Sequence, residues 1–230
     1  GGFAEYLRIP KEAVQYGHVV QLPESISFEE GSLLEPLSCC INGIKKAKVH
    51  LSDSCLIIGA GPIGLMHIQL AKAAGAAHIT VSEPNATRRD LARYFGADTV
   101  IDPTTQNIAE VAKEVTNGVG FDSIILAIGV SSIVNDLLYL LRKGGTLNLF
   151  AGFLDKGTCT LDANLIHYNE ITVTGTSAST RFDYLQAKEL VAQGKVRVKE
   201  LISHHFAIEQ FRDAYELAKK GEGIKLVICP

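Results

Sequence analysis

The chain has 230 residues, a formal net charge of -3 and an isoelectric point of about 6.2. This balance argues against a nucleic-acid partner, because no basic stripe is present to neutralise phosphates. No apolar run reaches the ~18 residues that a membrane span requires. The N-terminal GGFAEYLRIP also lacks the charged and apolar regions of a signal peptide.

Cysteine usage indicates a reducing, cytoplasmic compartment. The five cysteines are scattered and include no Cys-x-x-Cys pair, so neither a disulfide framework nor a closed structural zinc site is predicted. Each is interpreted as a small buried hydrophobic residue. They are Cys39, Cys40, Cys55, Cys159 and Cys229.

The first 36 residues are predicted to be short extended pieces, with a strand at FAEYLRI. From Ser54 onward, apolar strands alternate with amphipathic helices, which is typical of an α/β fold whose parallel sheet is covered on both faces. The predicted strands are CLIIG, HITVS, DTVID, FDSIILAIG, GTLNLFAG and EITVTG. The predicted helices are Pro62–Ala74, Ala86–Phe95, Gln106–Thr116 and Ser131–Arg142.

After Thr174 the rhythm changes to a longer helix at Thr180–Gln193, a strand in ELISHHF, a helix at Ile208–Lys219 and a terminal strand in IKLVIC. We therefore expect a nucleotide-binding domain over residues 37–176. Residues 1–36 and 177–230, the two ends of the chain, are expected to fold together into a second lobe.

The strongest motif is the G-x-G-x-x-G of Gly59, Gly61 and Gly64, which follows an apolar strand and opens a helix. Gly59 permits the tight turn, Gly61 lets the backbone approach a pyrophosphate, and Gly64 lets the helix pack closely on the strand. The helix N-terminus offers free N–H groups to phosphates. Pro62 occupies a position where a missing N–H costs nothing.

Glu83 ends the second predicted strand, 19 residues after Gly64, where an acidic residue accepts hydrogen bonds from the adenosine ribose. A carboxylate there repels a 2′-phosphate, so NAD is favoured over NADP. Arg88 and Arg89 lie close by, and a guanidinium could hold that phosphate. The alternative interpretations are a solvated charge for Glu83 and a solvated helix face for Arg89.

Three stretches together resemble the zinc-dependent medium-chain dehydrogenases, above all the sorbitol (polyol) and threonine dehydrogenases. They are GGFAEYLRIP, LPESISFEEGSLLEPLS, and the segment from LIIGAGPIGLMHIQLAKAAGAAHITVSEPN to YFGADTVIDP. The resemblance continues to the C-terminal ISHHFAIEQFRDAYELAKKGEGIKLVI. It implies a Rossmann domain of about six strands, with both chain ends contributing remnants of a GroES-like, β-rich catalytic lobe.

The resemblance also implies roles for individual residues. Ile63 matches a residue that packs on the cofactor, Glu83 the ribose-binding acid, and Arg88 the basic residue beside that ribose. Phe150, Ala151 and Gly152 match the backbone stretch along the nicotinamide.

Glu35, in Glu-Pro-Leu, matches a glutamate at the catalytic zinc, either as a ligand or bonded to the zinc's water. Its alternative role is to cap the following helix. The family's other zinc ligands, a cysteine and a Gly-His-Glu segment, match nothing here, so the chain resembles the family without its N-terminal third. Thr176 and Ser177 replace the arginine and tyrosine that meet the polyol in sorbitol dehydrogenases.

The other polar residues give no indication of a metal site or a catalytic nucleophile. His204 and His205 are adjacent on a strand and point to opposite faces, so they cannot share one ion and are interpreted as structural or solvent-facing. The remaining histidines are isolated in the sequence: His18, His50, His67, His78 and His167. No G-x-S-x-G elbow accompanies Ser177 and Ser179, which excludes a hydrolase of that type.

The sequence thus predicts an NAD-dependent oxidoreductase acting on the CH–OH group of a secondary alcohol, with a sugar alcohol as the expected substrate. In the intact enzyme, zinc acts as the Lewis acid and hydride passes to the nicotinamide. This chain is expected to carry mainly the cofactor-binding part and to be inactive alone.

Three alternatives stay open. They are a zinc-free quinone or enone reductase, a non-catalytic dinucleotide-sensing module, and a methyltransferase that uses S-adenosylmethionine. The resemblance also implies a homodimer or homotetramer, built partly by edge strands near Leu147 and Ile171.

Overall fold

The computed structural model describes residues 2–153 and 157–230, so Gly1, where the first predicted segment begins, lies outside the described residues. Six strands form one parallel sheet in the order β3-β2-β1-β4-β5-β6, and this confirms the predicted doubly wound α/β fold. The strands are β1 (Ser54–Ile58), β2 (His78–Ser82), β3 (Thr99–Ile101), β4 (Phe121–Leu126), β5 (Leu141–Leu149) and β6 (Thr172–Gly175). A separate two-stranded parallel sheet pairs β7 (Ile202–Ala207) with β8 (Lys225–Cys229).

Helices cover both faces of the large sheet, and others lie in the N-terminal segment and beside the two-stranded sheet. In chain order they are α1 (Lys11–Gln15), α2 (Phe28–Gly31), α3 (Leu34–Ala47), α4 (Pro62–Ala74), α5 (Ala86–Phe95), α6 (Ile108–Val115), α7 (Val134–Leu138), α8 (Ala163–Asn169), α9 (Arg181–Ala192) and α10 (Phe211–Lys219). None of the helices in the described ranges is long and apolar enough to cross a membrane.

Two apolar cores result, one on each face of the sheet. Cys55 and Ile57 of β1 pack into the first core with α3, α4 and α9, whereas Leu56 and Ile58 pack into the second. All four side chains are buried, which explains why this strand is a continuous apolar run and does not alternate with polar residues.

Helix α4 has the predicted bounds because its end signals are local. Gly61 is the N-cap, Pro62 is the first helical residue, and Gly75 ends the helix in a left-handed conformation with a φ of 92°. Helix α5 also matches its prediction, and the side chain of its N-cap Asn85 accepts the N–H of Arg88.

The predicted helix at Ser131–Arg142 is wrong in its second half. Helix α7 ends at Leu138, and β5 begins at Leu141, which pairs with Phe121 of β4. The guanidinium of Arg142 forms an ion pair with Asp122 at the base of β4. These contacts with β4 fix Leu141–Arg142 as strand, so tertiary structure overrides the local helical pattern.

The predicted N-terminal strand is also wrong, since the described residues before β1 contain no strand. The side chains of Phe3, Tyr6 and Leu7 are 63%, 90% and 63% exposed. An extended segment becomes a strand only when another strand satisfies its backbone groups, and the described chain offers this segment none. The ring of Phe3 does contact that of Phe211 in α10, with centroids 5.1 Å apart. The division at residues 36 and 176 stays a prediction.

Two smaller expectations need correction. Strand β5, which contains Leu147, lies between β4 and β6 and is not an edge, so only β6, just after Ile171, ends this side of the sheet. Cys40 and Cys55 are buried as predicted, but Cys159 is exposed and the sulfurs of Cys39 and Cys229 are partly accessible.

Candidate dinucleotide site

The glycine motif from Gly59 to Gly64 joins β1 to α4 at the carboxyl edge of the sheet and includes the first turn of that helix. Gly59 has a φ of 99°, and a Cβ atom there would lie 2.5 Å from the side chain of Ile128. A Cβ atom on Gly64 would lie 1.9 Å from the carbonyl oxygen of Gly59. Both positions therefore require glycine for the turn to close onto the helix.

Gly61 differs from its two neighbours because a Cβ atom there would meet nothing within 4 Å. It caps α4 without any side-chain hydrogen bond to the helix. The first N–H groups of α4, including those of Ile63 and Gly64, have no acceptor within the helix. Open space and free donors thus coincide at a positive helix end, which is the arrangement that binds phosphate.

Glu83 is 4% exposed and is anchored by two backbone amides. Its Oε2 accepts the N–H of Ala60 at 2.7 Å, and its Oε1 accepts the N–H of Asn85 at 2.9 Å. The carboxylate therefore ties the glycine loop to the end of β2. The alternative of a solvated charge is wrong, and this anchoring role was not visible in the sequence.

The two arginines after Glu83 have different partners. Arg89 donates to the carbonyl oxygens of Glu83 and Pro84 and forms an ion pair with Asp102 at 3.0 Å. The expectation that Arg89 lies on a solvated helix face is wrong, because these contacts hold its guanidinium against the strand ends. Arg88 donates to the carbonyl of Gly221 at 2.9 Å.

A cavity of about 780 Å³ opens beside these residues. Its walls are mostly apolar, and the charged residues that line it are Glu83, Arg88 and Asp136. This first cavity is lined by three of the predicted cofactor residues, which are Gly59, Glu83 and Arg88. It is not lined by the other predicted residues of the glycine motif, which are Gly61, Pro62, Ile63 and Gly64. A flat apolar ring with an attached polar sugar fits such walls.

A second cavity of about 630 Å³ lies where β5 and β6 end. Phe150, Ala151 and Gly152 line it, as do Cys39 and Thr176. The N–H groups of Phe150 and Ala151 both donate to the carbonyl of Leu126, at 3.2 and 3.1 Å. These hydrogen bonds fix the backbone stretch that was predicted to lie along a nicotinamide.

His67 supports the wall of the second cavity from behind. Its ring is fully buried, packs edge-on against Phe150 with centroids 4.6 Å apart, and has no hydrogen-bond partner within the described chain. Burial lowers the pKa of His67 to about 3, so the ring is neutral at physiological pH. Gly43 makes room for it, since a Cβ atom there would lie 2.8 Å from both rings.

Glu35 lies exposed in the first turn of α3, one helical turn before Cys39. The thiol of Cys39 donates to Oε1 of Glu35 at 3.3 Å. Burial, followed by the hydrogen bond and charge of Glu35, raises the pKa of Cys39. Burial and the same carboxylate raise the pKa of Tyr184. The i, i+4 spacing of Glu35 and Cys39 on one helix could have revealed this pair from the sequence.

The donor set around Glu35 is too small for a catalytic zinc site. Such a site takes three protein ligands and one exchangeable water or substrate. The carboxylate of Glu35 and the thiol of Cys39 are two, and the described residues bring no third His, Cys, Asp or Glu into a cluster with them. The described residues at Glu35 therefore do not complete a catalytic zinc site, and the metal role of Glu35 stays a prediction.

The profile of one protein family matches this chain. Its description is "Zinc-binding dehydrogenase", and the match covers residues 62–193. That segment runs from the first residue of α4 to just beyond the end of α9, so it includes five of the six strands of the large sheet and most of the residues that line the two cavities.

Similar proteins include enzymes of sugar alcohols. D-arabitol-phosphate dehydrogenase of Enterococcus avium is 33% identical over 99% of this chain and 64% of its own length. Sorbitol dehydrogenase of Ovis aries is 34% identical over 90% of this chain and 58% of its own length. The chain thus spans about three fifths of these relatives, at 64% and 58%.

A solved structure from Sinorhizobium meliloti 1021 is bound to NADP and is itself provisionally described as a zinc-binding dehydrogenase. It superimposes with a TM-score of 0.89 and 27% sequence identity over 100% of this chain and 66% of that one.

Proposed function

The chain belongs to the zinc-binding dehydrogenase family, and from that premise we propose that it binds NAD(H) along the carboxyl edge of its large sheet. It forms the cofactor-holding part of an oxidoreductase that moves hydride between NAD and a secondary alcohol. A sugar alcohol is the proposed substrate, which the named activities of the arabitol-phosphate and sorbitol relatives support.

The observation that carries the proposal is the glycine loop. Gly59 and Gly64 close a turn that no other residue fits, while Gly61 leaves open space over the free N–H groups of α4. A pyrophosphate there would accept hydrogen bonds from those amides and gain from the helix dipole. The loop lies at the switch between β1 and β4, where ligands bind in doubly wound sheets.

The first cavity is proposed to hold the adenosine. Each oxygen of Glu83 already accepts one backbone N–H, and each keeps a further lone pair for a ribose hydroxyl. A 2′-phosphate would meet this buried carboxylate, and Arg89 is occupied by Asp102 and two carbonyls. Both features favour NAD over NADP, although the Sinorhizobium neighbour is bound to NADP.

The second cavity is proposed to hold the nicotinamide, which supplies the hydride chemistry when bound. The backbone of Phe150–Gly152 would line one side of the ring and exclude water from it. Cys39 and Thr176 face the same cavity, so they stand where a substrate's hydroxyl groups would be recognised. Asn148 holds Thr176 in place, because its Nδ2 donates to the hydroxyl of Thr176 at 2.8 Å.

The proposal also covers the cellular location and the oligomeric state of the protein. The acidic charge balance and the cysteines, all free in the structure, favour the cytoplasm. Strand β6 ends the large sheet and has unpaired backbone groups on one side, so we place a homodimer or homotetramer contact there.

Calorimetric titration with NADH tests the proposal. Gly61→Val should weaken NADH binding at least tenfold, since a branched side chain would fill the space proposed for the phosphates. The circular dichroism spectrum should be unchanged, because that space contains no protein atom within 4 Å of a Cβ. Equal NADH affinity in the two proteins would contradict the proposed site.

An absorbance assay for NADH tests whether the chain binds NAD without catalysing the oxidation of an alcohol. Glu35 and Cys39 offer two metal ligands where a catalytic zinc site needs three. The 230-residue chain should therefore bind NAD without oxidising sorbitol, xylitol or arabitol. Turnover of any of these alcohols by the chain alone would show that the catalytic group has been misplaced.

A further inference from the structure

Three metal-ligand side chains meet at the two-stranded sheet. Glu29 comes from α2, His205 from β7 and Cys229 from β8, and one ligand atom of each lies within 4.8 Å of the other two. None of the three lines the cavities proposed for the dinucleotide. The cluster also differs from the pair of Glu35 and Cys39 in α3.

The strand register explains why these side chains share a face. His205 pairs with Val227 and Ala207 pairs with Cys229, so the side chains of His205 and Cys229 project to the same side of the parallel pair. His204 projects to the opposite side. The two histidines thus lie on opposite faces, as their adjacency on a strand predicts, but nothing in the sequence indicates that Glu29 and Cys229 lie near His205.

The two histidines also differ in their bonding. Nδ1 of His204 lies 3.0 Å from the hydroxyl of Ser203, and its ring stacks on Phe206. Across residues 2–153 and 157–230, neither the ring of His205 nor the sulfur of Cys229 has a hydrogen-bond partner. Their ligand atoms therefore make no hydrogen bond, and His205 is exposed while Cys229 is partly exposed.

Glu29 supplies the negative charge of the cluster. It lies in the first turn of α2, two residues after the N-cap Ser27, and a carboxylate oxygen is one of the ligands that zinc takes.

We propose that Glu29, His205 and Cys229 bind one Zn²⁺ ion. Imidazole nitrogen, thiolate sulfur and carboxylate oxygen are the donors that zinc takes, and three of them leave a fourth position for water. The soft thiolate and the imidazole select against Mg²⁺ and Ca²⁺, which prefer oxygen ligands. Ligand atoms of a tetrahedral zinc site lie about 3.5 Å apart, so rotation of these accessible side chains closes the 4.8 Å spacing.

Zinc at this position would cross-link segments that are distant in the sequence. Residue 29 precedes α3, whereas residues 205 and 229 belong to the C-terminal sheet, so the ion closes a loop of most of the chain. Binding to the folded state alone raises thermal stability in proportion to the logarithm of the zinc concentration. The proposed ion thus stabilises the folded chain, and its ligands are not among the residues proposed to hold the cofactor.

Calorimetry and cobalt spectroscopy on the chelator-treated chain test this proposal. We expect one Zn²⁺ per chain and, with Co²⁺, a thiolate-to-metal charge-transfer band. His205→Ala and Cys229→Ser should each weaken zinc binding at least tenfold and remove the charge-transfer band or shift it. The matched variants His204→Ala and Cys159→Ser should bind as the unmodified chain does.

Glu29→Gln should weaken binding several-fold, while Glu30→Gln, which retains an acceptor for the N-terminal cap of α2, should not. Melting temperatures measured in the presence of a chelator show whether a variant has lost only a zinc ligand or has lost its fold. Without zinc, the ligand variants should melt within a few degrees of the unmodified chain. No stoichiometric zinc, or zinc lost equally with His204→Ala, would overturn the proposal. So would zinc that is lost on Cys39→Ser and kept in Cys229→Ser.

Discussion

The two cavities at the carboxyl edge of the sheet are built differently. Around the first, the charged groups next to the glycine loop have fixed partners: Glu83 holds two amides, and Arg89 holds Asp102 and two carbonyls. Beside the second, Glu35 is exposed, and within the described residues its hydrogen bonds are to the thiol of Cys39 and inside its own helix. The hydrogen bonds of Glu83 and Arg89 fix the backbone around the first cavity, so the proposed cofactor binding should be separable by experiment from the proposed chemistry at the second cavity.

The largest effect should come from Gly64, on the first-cavity side. Gly64→Ala places a Cβ atom 1.9 Å from the carbonyl oxygen of Gly59, and the loop must move to relieve the clash. We expect a loss of about 3 kcal/mol in the free energy of unfolding. Gly61→Ala, which meets no atom, should cost about 1 kcal/mol or less. Urea denaturation compares the two, and equal losses would show that the loop is not tightly closed.

The next effect concerns His67, behind the second cavity. Its folded-state pKa of about 3 lies below the ordinary value of 6.5, so only the unfolded state takes up a proton between these limits. Stability should therefore fall as the pH drops below about 6.5, by about 2 kcal/mol at pH 5 relative to pH 7. Urea unfolding of the unmodified chain and of His67→Leu at both pH values isolates this contribution.

The matched control for that experiment is His167→Gln, which changes an exposed ring. It should keep the pH dependence of the unmodified chain, whereas His67→Leu should lose about 2 kcal/mol of it. The same slope in all three proteins would mean that His67 gains a proton, or a partner, in the folded state.

Glu83 should set the cofactor preference at the first cavity. NADH is expected to bind at least tenfold more tightly than NADPH, which corresponds to about 1.4 kcal/mol. Glu83→Ala should remove most of that preference and lower stability by about 1–3 kcal/mol, because the amides of Ala60 and Asn85 lose their acceptor. Glu114→Ala, on the exposed face of α6, is the control and should change neither quantity. Titration with both cofactors is the measurement, and equal affinities in the unmodified chain would refute the preference for NAD.

The smallest effect should appear at Cys39. The neighbouring carboxylate helps to raise the pKa of this thiol, so Glu35→Gln should speed its alkylation by iodoacetamide about twofold at pH 8. NADH affinity should stay within about twofold, because Glu35 lies outside the residues proposed to hold the cofactor. Mass spectrometry resolves Cys39 from Cys159, whose rate should not change. A large fall in NADH affinity would show that the two cavities are coupled.

Local signals determined what the sequence could predict. The signals that end α4 lie in the residues at its two ends. The continuous apolar sequence of β1 directly indicates a strand that is buried on both faces. The start of β5 depends on Leu141 pairing with Phe121, a contact across the sheet that the helical pattern conceals. The anchoring of Glu83 and the meeting of Glu29 with Cys229 arise only when distant segments come together.

The most direct test of the central claim is a titration of the isotopically labelled chain with NADH, followed through its backbone amide resonances. NADH should shift the amides of Ile63 and Gly64 at the start of α4 and those of Phe150–Gly152 at the second cavity. The amide of Gly194, beyond α9, should stay unchanged as the internal control. Binding that leaves Ile63 and Gly64 unshifted would contradict the account, since the phosphates would then lie elsewhere.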